Sequence, residues 1–425
     1  MATKAKWQTK KLSDLAEFRN GVNYNKDSFG EGVKVVGVSD FQDYTKPRYD
    51  ELEQINPDGI VTERNILRNG DIVFVRSNGN RKLIGRSLFI ENPPEEITHS
   101  AFTIRLRFVS SEVYPKFYAY CFRTPLIRQG LTAQGGGTNI SNLNQNILNS
   151  LEVPFPPLPV QQRIASILSA YDELIENSQR RIKILEQMAR NLYREWFVHF
   201  RFPNHAKTPM VDSPLGKIPK GWEVKKLSDV LSVDKGVSYN GAGLTEDGNP
   251  MVNLKNILPG GGFRRDATKP YSGNFKPRHT VKHGDIILAN TDLTQAGQVV
   301  ASPAIIPRLG KNQTILISHH LFAVRIIGQV PALFVYHLML EEKFRGFAKG
   351  YAIGTTVLGL PKEAVLHFAF PFPHPSLLDA FSQWVKPIHQ EIETLNERID
   401  NLRKTRDLLL PRLLSGQMEL KTDAN

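Results

Sequence analysis

The stretch "VQQRIASILSAYDELIENSQRRIKILEQMARNLYREWF" (160–197) decides the fold. Its Ile164, Leu168, Tyr171, Ile175, Ser178, Ile182, Leu185, Ala189, Leu192 and Trp196 recur at alternating spacings of four and three. Those spacings return to one face of a helix, so the segment reads as a long helix carrying a coiled-coil seam. At 1.5 Å per residue it would run roughly 55 Å. A second seam follows in Phe381, Val385, Ile388, Ile392, Leu395, Ile399, Leu402, Arg406, Leu409 and Leu413. Two apolar stripes in one chain bury each other most simply. Pro387 is expected to kink the second helix or to mark its effective start, and Gly416 to stop it.

Each seam is preceded by a Pro-rich stop, "PFPPLP" (154–159) and "PFPHP" (371–375), and each stop closes a copy of the same pattern. "KWQTKKLSDLAEFRNGVNYN" (6–25) returns as "GWEVKKLSDVLSVDKGVSYN" (221–240), with Gly21 matching Gly236. "RNGDIVFV" (68–75) returns as "KHGDIILA" (282–289), "HSAFTIRL" (99–106) as "HHLFAVRI" (319–326), and "GGGTNISNLNQNIL" (135–148) as "AIGTTVLGLPKEAV" (352–365). Order is kept throughout, so the chain is a duplication. The expected fold is two tandem α/β (α+β) globular domains, each followed by a long α-helix. Their bounds are 1–158 and 221–375 for the domains and 159–201 and 376–415 for the helices. A Pro- and Gly-rich linker (202–220) and a tail (416–425) complete the chain. Gly70 and Gly284 precede strands, where a turn needs a residue tolerant of unusual dihedrals.

The bulk numbers fit two ordinary globular domains. The 425 residues are 40% hydrophobic and 23% charged, and no run is long and apolar enough to cross a membrane. One cysteine, Cys121, excludes an internal disulfide and a cysteine metal cage, which suits a reducing, cytoplasmic setting. A formal net charge of +12 and a pI near 9.5 favour a polyanionic partner. By segment the balance is +3 for 1–158, +2 for 159–201, +8 for 202–375 and −1 for 376–425. The cationic surface therefore belongs mainly to the globular parts.

Catalytic patterns are missing. "ENPPEE" (91–96) is similar to the base-holding turn of amino-methyltransferases, but Glu95 stands where an aromatic ring must stack, and no Gly-rich cofactor loop precedes it. A surface loop ending a strand explains it better. His319 and His320 lack a third ligand at metal spacing, and as strand neighbours they would face opposite ways. Neither a P-loop nor a nucleophile elbow nor HExxH occurs.

The loops suit recognition better. "RSNGNRK" (76–82) gathers Arg76, Ser77, Asn78, Asn80, Arg81 and Lys82, and Arg and Asn are the side chains that pair bidentately with guanine and adenine edges. Its counterpart "NTDLTQ" supplies Asn290, Thr291, Thr294 and Gln295, and a solvated hairpin tip is the competing explanation for both. Thr138 and Asn139 in "QGGGTN", Thr355 and Thr356 in "AIGTT", and Tyr239 and Asn240 at the end of "GVSYN" complete the candidate contacts. Glycine there would let backbone amides approach phosphate, or simply make a tight turn.

The motifs "VPFPPLPVQQRIASILSAYDELIENSQRRIKILEQMARNLYREWFVHFRFP" (153–203), "LGKIPKGWEVKKLSD" (215–229) and "LRKTRDLLLPRLLSGQMEL" (402–420) resemble those of type I restriction-modification specificity (S) subunits. The second stop departs from the family pattern, with "PSLLDAF" where the first has "PVQQRIA". The resemblance implies two target recognition domains, each reading half of a bipartite, asymmetric double-stranded DNA sequence. It also implies that the helices pair as an antiparallel coiled coil with Ile164, Leu168, Ile175, Ile182, Leu185, Leu192, Ile388, Ile392, Leu395, Ile399, Leu402 and Leu409 in the seam. Two modification (methyltransferase) subunits would dock on that frame, and restriction (translocase and endonuclease) subunits would join them. No cofactor is expected on this chain. S-adenosylmethionine, ATP and Mg would serve the partners. The aromatic and leucine residues of "RNLYREWFVHF" and "LLLPRLLSG" are expected to remain as docking surface beyond the seam. The competing hypotheses are a coiled-coil scaffold without sequence-specific DNA binding, and a self-sufficient methyltransferase or nuclease.

Overall fold

The computed structural model describes residues 7–42, 45–80, 82–125, 127, 131, 142–239, 241–293, 296–310, 314–354 and 357–418. The chain divides into two compact units, residues 1–177 with 398–425, and residues 178–397. Each unit therefore takes one globular domain and a part of both long helices, where the sequence suggested domains and helices as separate blocks.

In the first unit an antiparallel sheet runs in the order Ala16–Asn20, Thr103–Phe108, Ile72–Val75, Ser87–Phe89. A three-stranded sheet sets Phe29–Val36 between Glu53–Ile55 and Ile97–His99, the latter pair parallel. The second unit repeats both. Its antiparallel sheet runs Leu231–Lys235, Leu321–Ile326, Ile286–Ala289, Pro303–Ile305. Its other sheet sets Leu244–Val252 between Lys269–Tyr271 and Ile315–Ile317, again with one parallel pair, and adds Thr280–Val281.

The Pro-rich stops sit where each domain closes on itself. Thr9–Lys11 pairs with Glu152–Pro154, and Glu223–Lys226 pairs with Ala369–Phe372, so the first strand of each domain binds the last just before the long helix begins. Proline follows because the chain must leave a ladder and enter a helix, whose first turn tolerates a missing N–H.

The glycine-aspartate pairs do two jobs. Gly70 and Gly284 have φ of 91° and 87°, and the Asp71 and Asp285 amides donate to the Arg68 and Lys282 carbonyls, which makes each a type II turn. The aspartates then brace the sheet. Asp71, 1% exposed, accepts two bonds from Arg107 at 2.8 and 2.7 Å, and Asp285 meets the corresponding Arg325 at 3.5 Å. The local pattern announces the turn and says nothing of the brace, whose arginine lies on another strand. Gly21 and Gly236 are also equivalent: a methyl group on either would lie 2.1 or 2.2 Å from the carbonyl oxygen of His99 or Ile317.

The first long helix is Leu158–Tyr193, followed by a π turn at Arg194–Val198. The second is Pro375–Leu414. Pro387 does not start it. The helix begins twelve residues earlier, and Pro387 stands on an exposed face where the carbonyl it leaves unbonded meets water. Gly416, φ 72°, does end it: the Gly416 and Gln417 amides donate to the Leu413 and Arg412 carbonyls, a Schellman motif.

Within each unit the helices run antiparallel. In the second unit Arg181 meets Glu391 at 2.8 Å, while Tyr193, twelve residues on, meets Phe381, ten residues back. In the first, Arg406 donates to Asp172 at 2.6 Å, and Ile164 and Leu168 share a core with Leu413 and Leu414. Among the seam residues Ile164, Leu168, Ile175, Leu395 and Ile399 are buried, and Ile182, Leu185, Leu192, Ile388, Ile392, Leu402 and Leu409 are half-buried. The seam position Arg406 is tolerated because Asp172, itself bonded to the Tyr120 hydroxyl at 2.7 Å, neutralises it.

The expectation of aromatic docking surface is overturned. Tyr193, Trp196 and Phe197 are 4 to 7% exposed and pack on Phe381, Phe334 and Trp222 in the second unit's core. Leu413 and Leu414 are buried in the first unit's core, and of that leucine run Leu408 is the exposed member. The seam's periodicity does not say where a helix end meets its own domain. Other exposed apolar residues of the helices are also off the seam: Leu174, Ile184, Met188 and Trp384.

Candidate nucleic-acid interface

In both units the strand after the glycine-aspartate turn delivers a residue to the same socket. The Arg76 amide donates to the Phe102 carbonyl at 2.8 Å, its guanidinium reaches the Ala101 carbonyl at 3.5 Å, and its own carbonyl accepts from the Leu143 amide at 2.9 Å. Asn290 makes the same three contacts. Its amide donates to the His320 carbonyl at 3.0 Å, its side chain to the His319 carbonyl at 3.1 Å, and its carbonyl accepts from the Leu360 amide at 2.8 Å. The turn that receives them is pinned by a parallel bridge, Val22 to Ser100 in one unit and Val237 to Ser318 in the other.

This equivalence corrects the alignment of the repeats. Ser100 matches Ser318, and Ala101 and Phe102 match His319 and His320, so "HSAFTIRL" and "HHLFAVRI" are two residues out of structural register. A strand's side chains alternate with period two, so a two-residue slip preserves the inward and outward pattern and leaves no trace in the sequence.

The first unit's loop stays outward. Asn78 accepts from the Asn80 amide at 2.7 Å and Asn80 from the Lys82 amide at 3.2 Å. The side-chain carbonyls thus shape two successive Asx turns, and the amide nitrogens are left as the donors. Arg76, Ser77 and Asn78 are half-buried, and Asn80 and Lys82 exposed. The second unit's loop folds inward, contrary to the expectation of a matching reader. Asn290 and Thr291 are 2% and 8% exposed, with the Thr291 hydroxyl on Asn290 at 2.7 Å, and Asp292 accepts the Val299 and Val300 amides. These side chains are spent on holding the loop. Tyr239 is half-buried against Tyr271 and His319. Arg81, Thr138, Asn139, Asn240, Thr294, Gln295, Thr355 and Thr356 lie outside the described residues.

The turn itself carries residues that sequence reasoning passed over. Phe102 is 62% exposed beside Arg76. At the matching place the His319 and His320 rings lie together, centroids 3.9 Å apart and planes tilted by 39°, because they belong to a turn and not to a strand, where they would have diverged. Burial and the nearby Lys235 ammonium hold both imidazoles below their ordinary pKa, so they are neutral at pH 7. A neutral, tilted pair offers ring faces and Nε2 atoms that donate or accept, since both Nδ1 atoms are buried. The only warning in the sequence was the repeated Ser-x-x before a strand, which lacks chemistry of its own.

The "ENPPEE" segment is structural. Glu91 is held by Lys46 and Lys116 and pairs through its backbone with the Tyr49 hydroxyl, while Glu95 meets Lys34 at 2.6 Å. The two lysines hold the Glu91 carboxyl below its ordinary range despite burial. Among the described residues no group of three metal-ligating side chains converges.

Comparison with known proteins places this geometry. The type I restriction modification DNA specificity domain matches residues 4–187, which is the first globular domain with most of the helix Leu158–Tyr193. The likeness then extends along the chain. The MjaIX type I restriction enzyme specificity subunit of Methanocaldococcus jannaschii is 24% identical over 98% of this chain and 94% of its own length. The MjaVIII specificity subunit of the same organism is 23% identical over 92% and 94%. The crystal structure of the type I S subunit from M. genitalium shares the fold, with a TM-score of 0.53 at 14% identity over 99% of this chain and 98% of that one. Residues 4–187 thus carry the specificity-domain pattern, and over nearly its whole length the chain is similar to type I restriction enzyme specificity subunits.

Proposed function

We propose that this chain addresses a type I restriction-modification complex to DNA, each globular domain reading one half of a bipartite, asymmetric duplex target. The observation that carries the reading is the shared socket of Arg76 and Asn290: backbone contacts are identical in the two domains, and the side chains presented around them differ. Equal frames with unequal rims would read unequal half-sites. In the first domain the readers are the loop from Arg76 to Lys82 and Phe102. In the second they are His319, His320 and Tyr239. The antiparallel helices set the spacing of the half-sites, for which one helical turn of DNA, roughly 34 Å, is the natural unit. They also seat two modification subunits, with restriction subunits joining the assembly. Adenine methylation with S-adenosylmethionine and ATP-driven cleavage belong to those partners, and this chain contributes the address.

Methylome sequencing of cells with and without the gene tests this directly. One split motif should vanish with the gene. A gene whose loss leaves every methylated motif in place, or a purified modification complex displaced equally by all competitor duplexes, would reduce the chain to a scaffold. Exchange of residues 76–82 for another sequence should alter the first half of that motif alone.

A further inference from the structure

The second unit contains a cleft of about 510 Å³ rimmed by Lys235, Lys276, Arg278 and Lys362, with Phe275, 41% exposed, at its mouth. One carboxylate lines it, Asp234, and that group is engaged by Arg325 at 3.3 Å. Among the described residues none of the four cations has a carboxylate partner. Four like charges around one concavity repel one another unless an anion enters.

The cleft also holds a hydrogen-bond conflict that an anion would relieve. The His279 Nδ1 accepts from the Lys276 amide at 3.2 Å, capping the short helix Pro277–His279, while Arg278 Nε lies 3.3 Å from Nε2 of the same ring. A neutral imidazole accepts at one nitrogen only, so both bonds cannot form together. Burial and the adjacent Arg278 and Lys276 charges keep this ring neutral. The exposed Arg278 guanidinium is thus left without a fixed partner on the ring and is open to a ligand from solvent.

The first unit has the same positions and a different chemistry. Asn20 stands at the strand end held by Lys235, and Thr62 at the cap held by Lys276, where Asn65 does the capping done by His279. Arg64 matches Arg278, since the carbonyl of each accepts from an arginine of the central strand. Gln145 corresponds to Lys362 and donates to Asn20 at 3.2 Å, an amide bridge across the place where the second unit keeps two lysines apart. Glu63 replaces Pro277 and adds a carboxylate.

We propose that this cleft binds the phosphodiester backbone of the DNA held by the second unit, with Lys235, Lys276, Arg278 and Lys362 as phosphate contacts, so that the two domains grip their half-sites unequally. The proposal rests on the DNA-addressing function above. It assigns the second domain a backbone clamp that the equivalent residues Asn20, Thr62 and Gln145 of the first do not form, and it gives the +8 charge of residues 202–375 a place.

The test uses the complete modification complex and a duplex bearing its methylated motif. Lys235→Gln, Lys276→Gln and Lys362→Gln are combined, with Lys207→Gln, Lys217→Gln and Lys220→Gln as a control of equal charge on exposed lysines away from the cleft. Thermal melts establish that both triples fold. The cleft triple should weaken binding about tenfold or more. Its slope of log affinity against log salt should be shallower by about 2 to 3, following roughly 0.9 per phosphate contact. Preference for the motif over a scrambled duplex should be unchanged. The proposal is overturned if wild type selects its motif and the two triples behave alike, or if the cleft triple relaxes the second half-site's sequence. Titration of the complex with inorganic phosphate covers the remaining source of such an anion: saturable binding that the cleft triple abolishes and that displaces no duplex would reassign the cleft to a free ion. Wild type that selects no motif sinks the functional reading and the clamp with it.

Discussion

Arg76 and Asn290 occupy one socket in two copies of a fold, held by the same pair of backbone bonds and by a side chain reaching the same carbonyl. Arginine gets there with its guanidinium half outside, whereas asparagine is sealed in by Thr291 and Asp292. The comparison teaches that backbone geometry was kept through duplication while the rim was free to change. The first domain turns polar donors outward at its loop, and the second turns them inward and carries a close pair of imidazoles and a lysine-rich cleft instead.

The largest difference expected between the units lies in their aspartate braces. Asp71→Ala removes a buried partner of Arg107 and should destabilise the first unit by about 3 to 5 kcal/mol, the scale for breaking a buried ion pair. Asp285 is more exposed, its contact with Arg325 is longer, and Arg325 keeps bonds to Asp234 and two carbonyls. Asp285→Ala should therefore cost the second unit far less. Hydrogen exchange resolved by peptide measures each unit in the intact chain, and equal losses would break the comparison.

Acidification should separate the units next. In the second unit, His337 and His389 meet through their Nε2 atoms at 3.1 Å. Burial pushes His389 down to about 4, and burial with its neighbours' charge takes His337 well below its ordinary value. In the first unit His99, bonded to Thr103, is pushed down to about 3. The unfolded chain protonates these rings near 6.5 and the folded chain does not. Stability is thus intact above pH 6.5 and falls as the pH drops toward the folded values, by about 1.4 kcal/mol per pH unit for each ring. With a pair against a single ring, the second unit should lose protection more steeply between pH 6.5 and 5. A shallower slope there than in the first unit would contradict the burial of the pair.

The socket itself predicts a smaller contrast. Asn290→Ala leaves buried polar groups without partners and should cost about 1 to 3 kcal/mol. Arg76→Ala, half-buried with one long bond, should cost under about 1 kcal/mol while weakening binding in a manner set by the first half-site's bases. Unfolding curves and binding to half-site variants check both, and a uniform binding loss would reassign Arg76 to phosphate. Least of all, Arg181→Ala should change stability by less than about 1 kcal/mol, since the Arg181–Glu391 pair is exposed, unlike the sheltered Arg406–Asp172 pair.

Much of this molecule is legible in its sequence. Periodicity gives the helices directly because burial selects a residue every three or four positions, and the Gly-Asp and Pro-rich punctuation follows from dihedral limits that hold in any context. The duplication is legible for the same reason: frame residues such as Gly21 and Gly236 face carbonyls that no side chain can replace. The candidate readers are legible only as polar loop residues. Whether Asn290 points out or in depends on Thr291, Asp292 and the amides of Val299 and Val300, and no local pattern states that. The aromatic run of the first helix misleads in the same way, because Tyr193, Trp196 and Phe197 find partners far away in sequence.

By itself, then, the sequence determined two diverged copies of one domain, two seamed helices, a cationic surface and no catalytic motif, since those features depend on local spacing and charge. Tertiary structure alone decided the true register of the repeats, the inward turn of the second loop, the pairing of His319 with His320 and the gathering of four cations from separate segments. Each of these is a meeting of residues distant along the chain, governed by the packing of sheets and turns, and local periodicity carries no information about it.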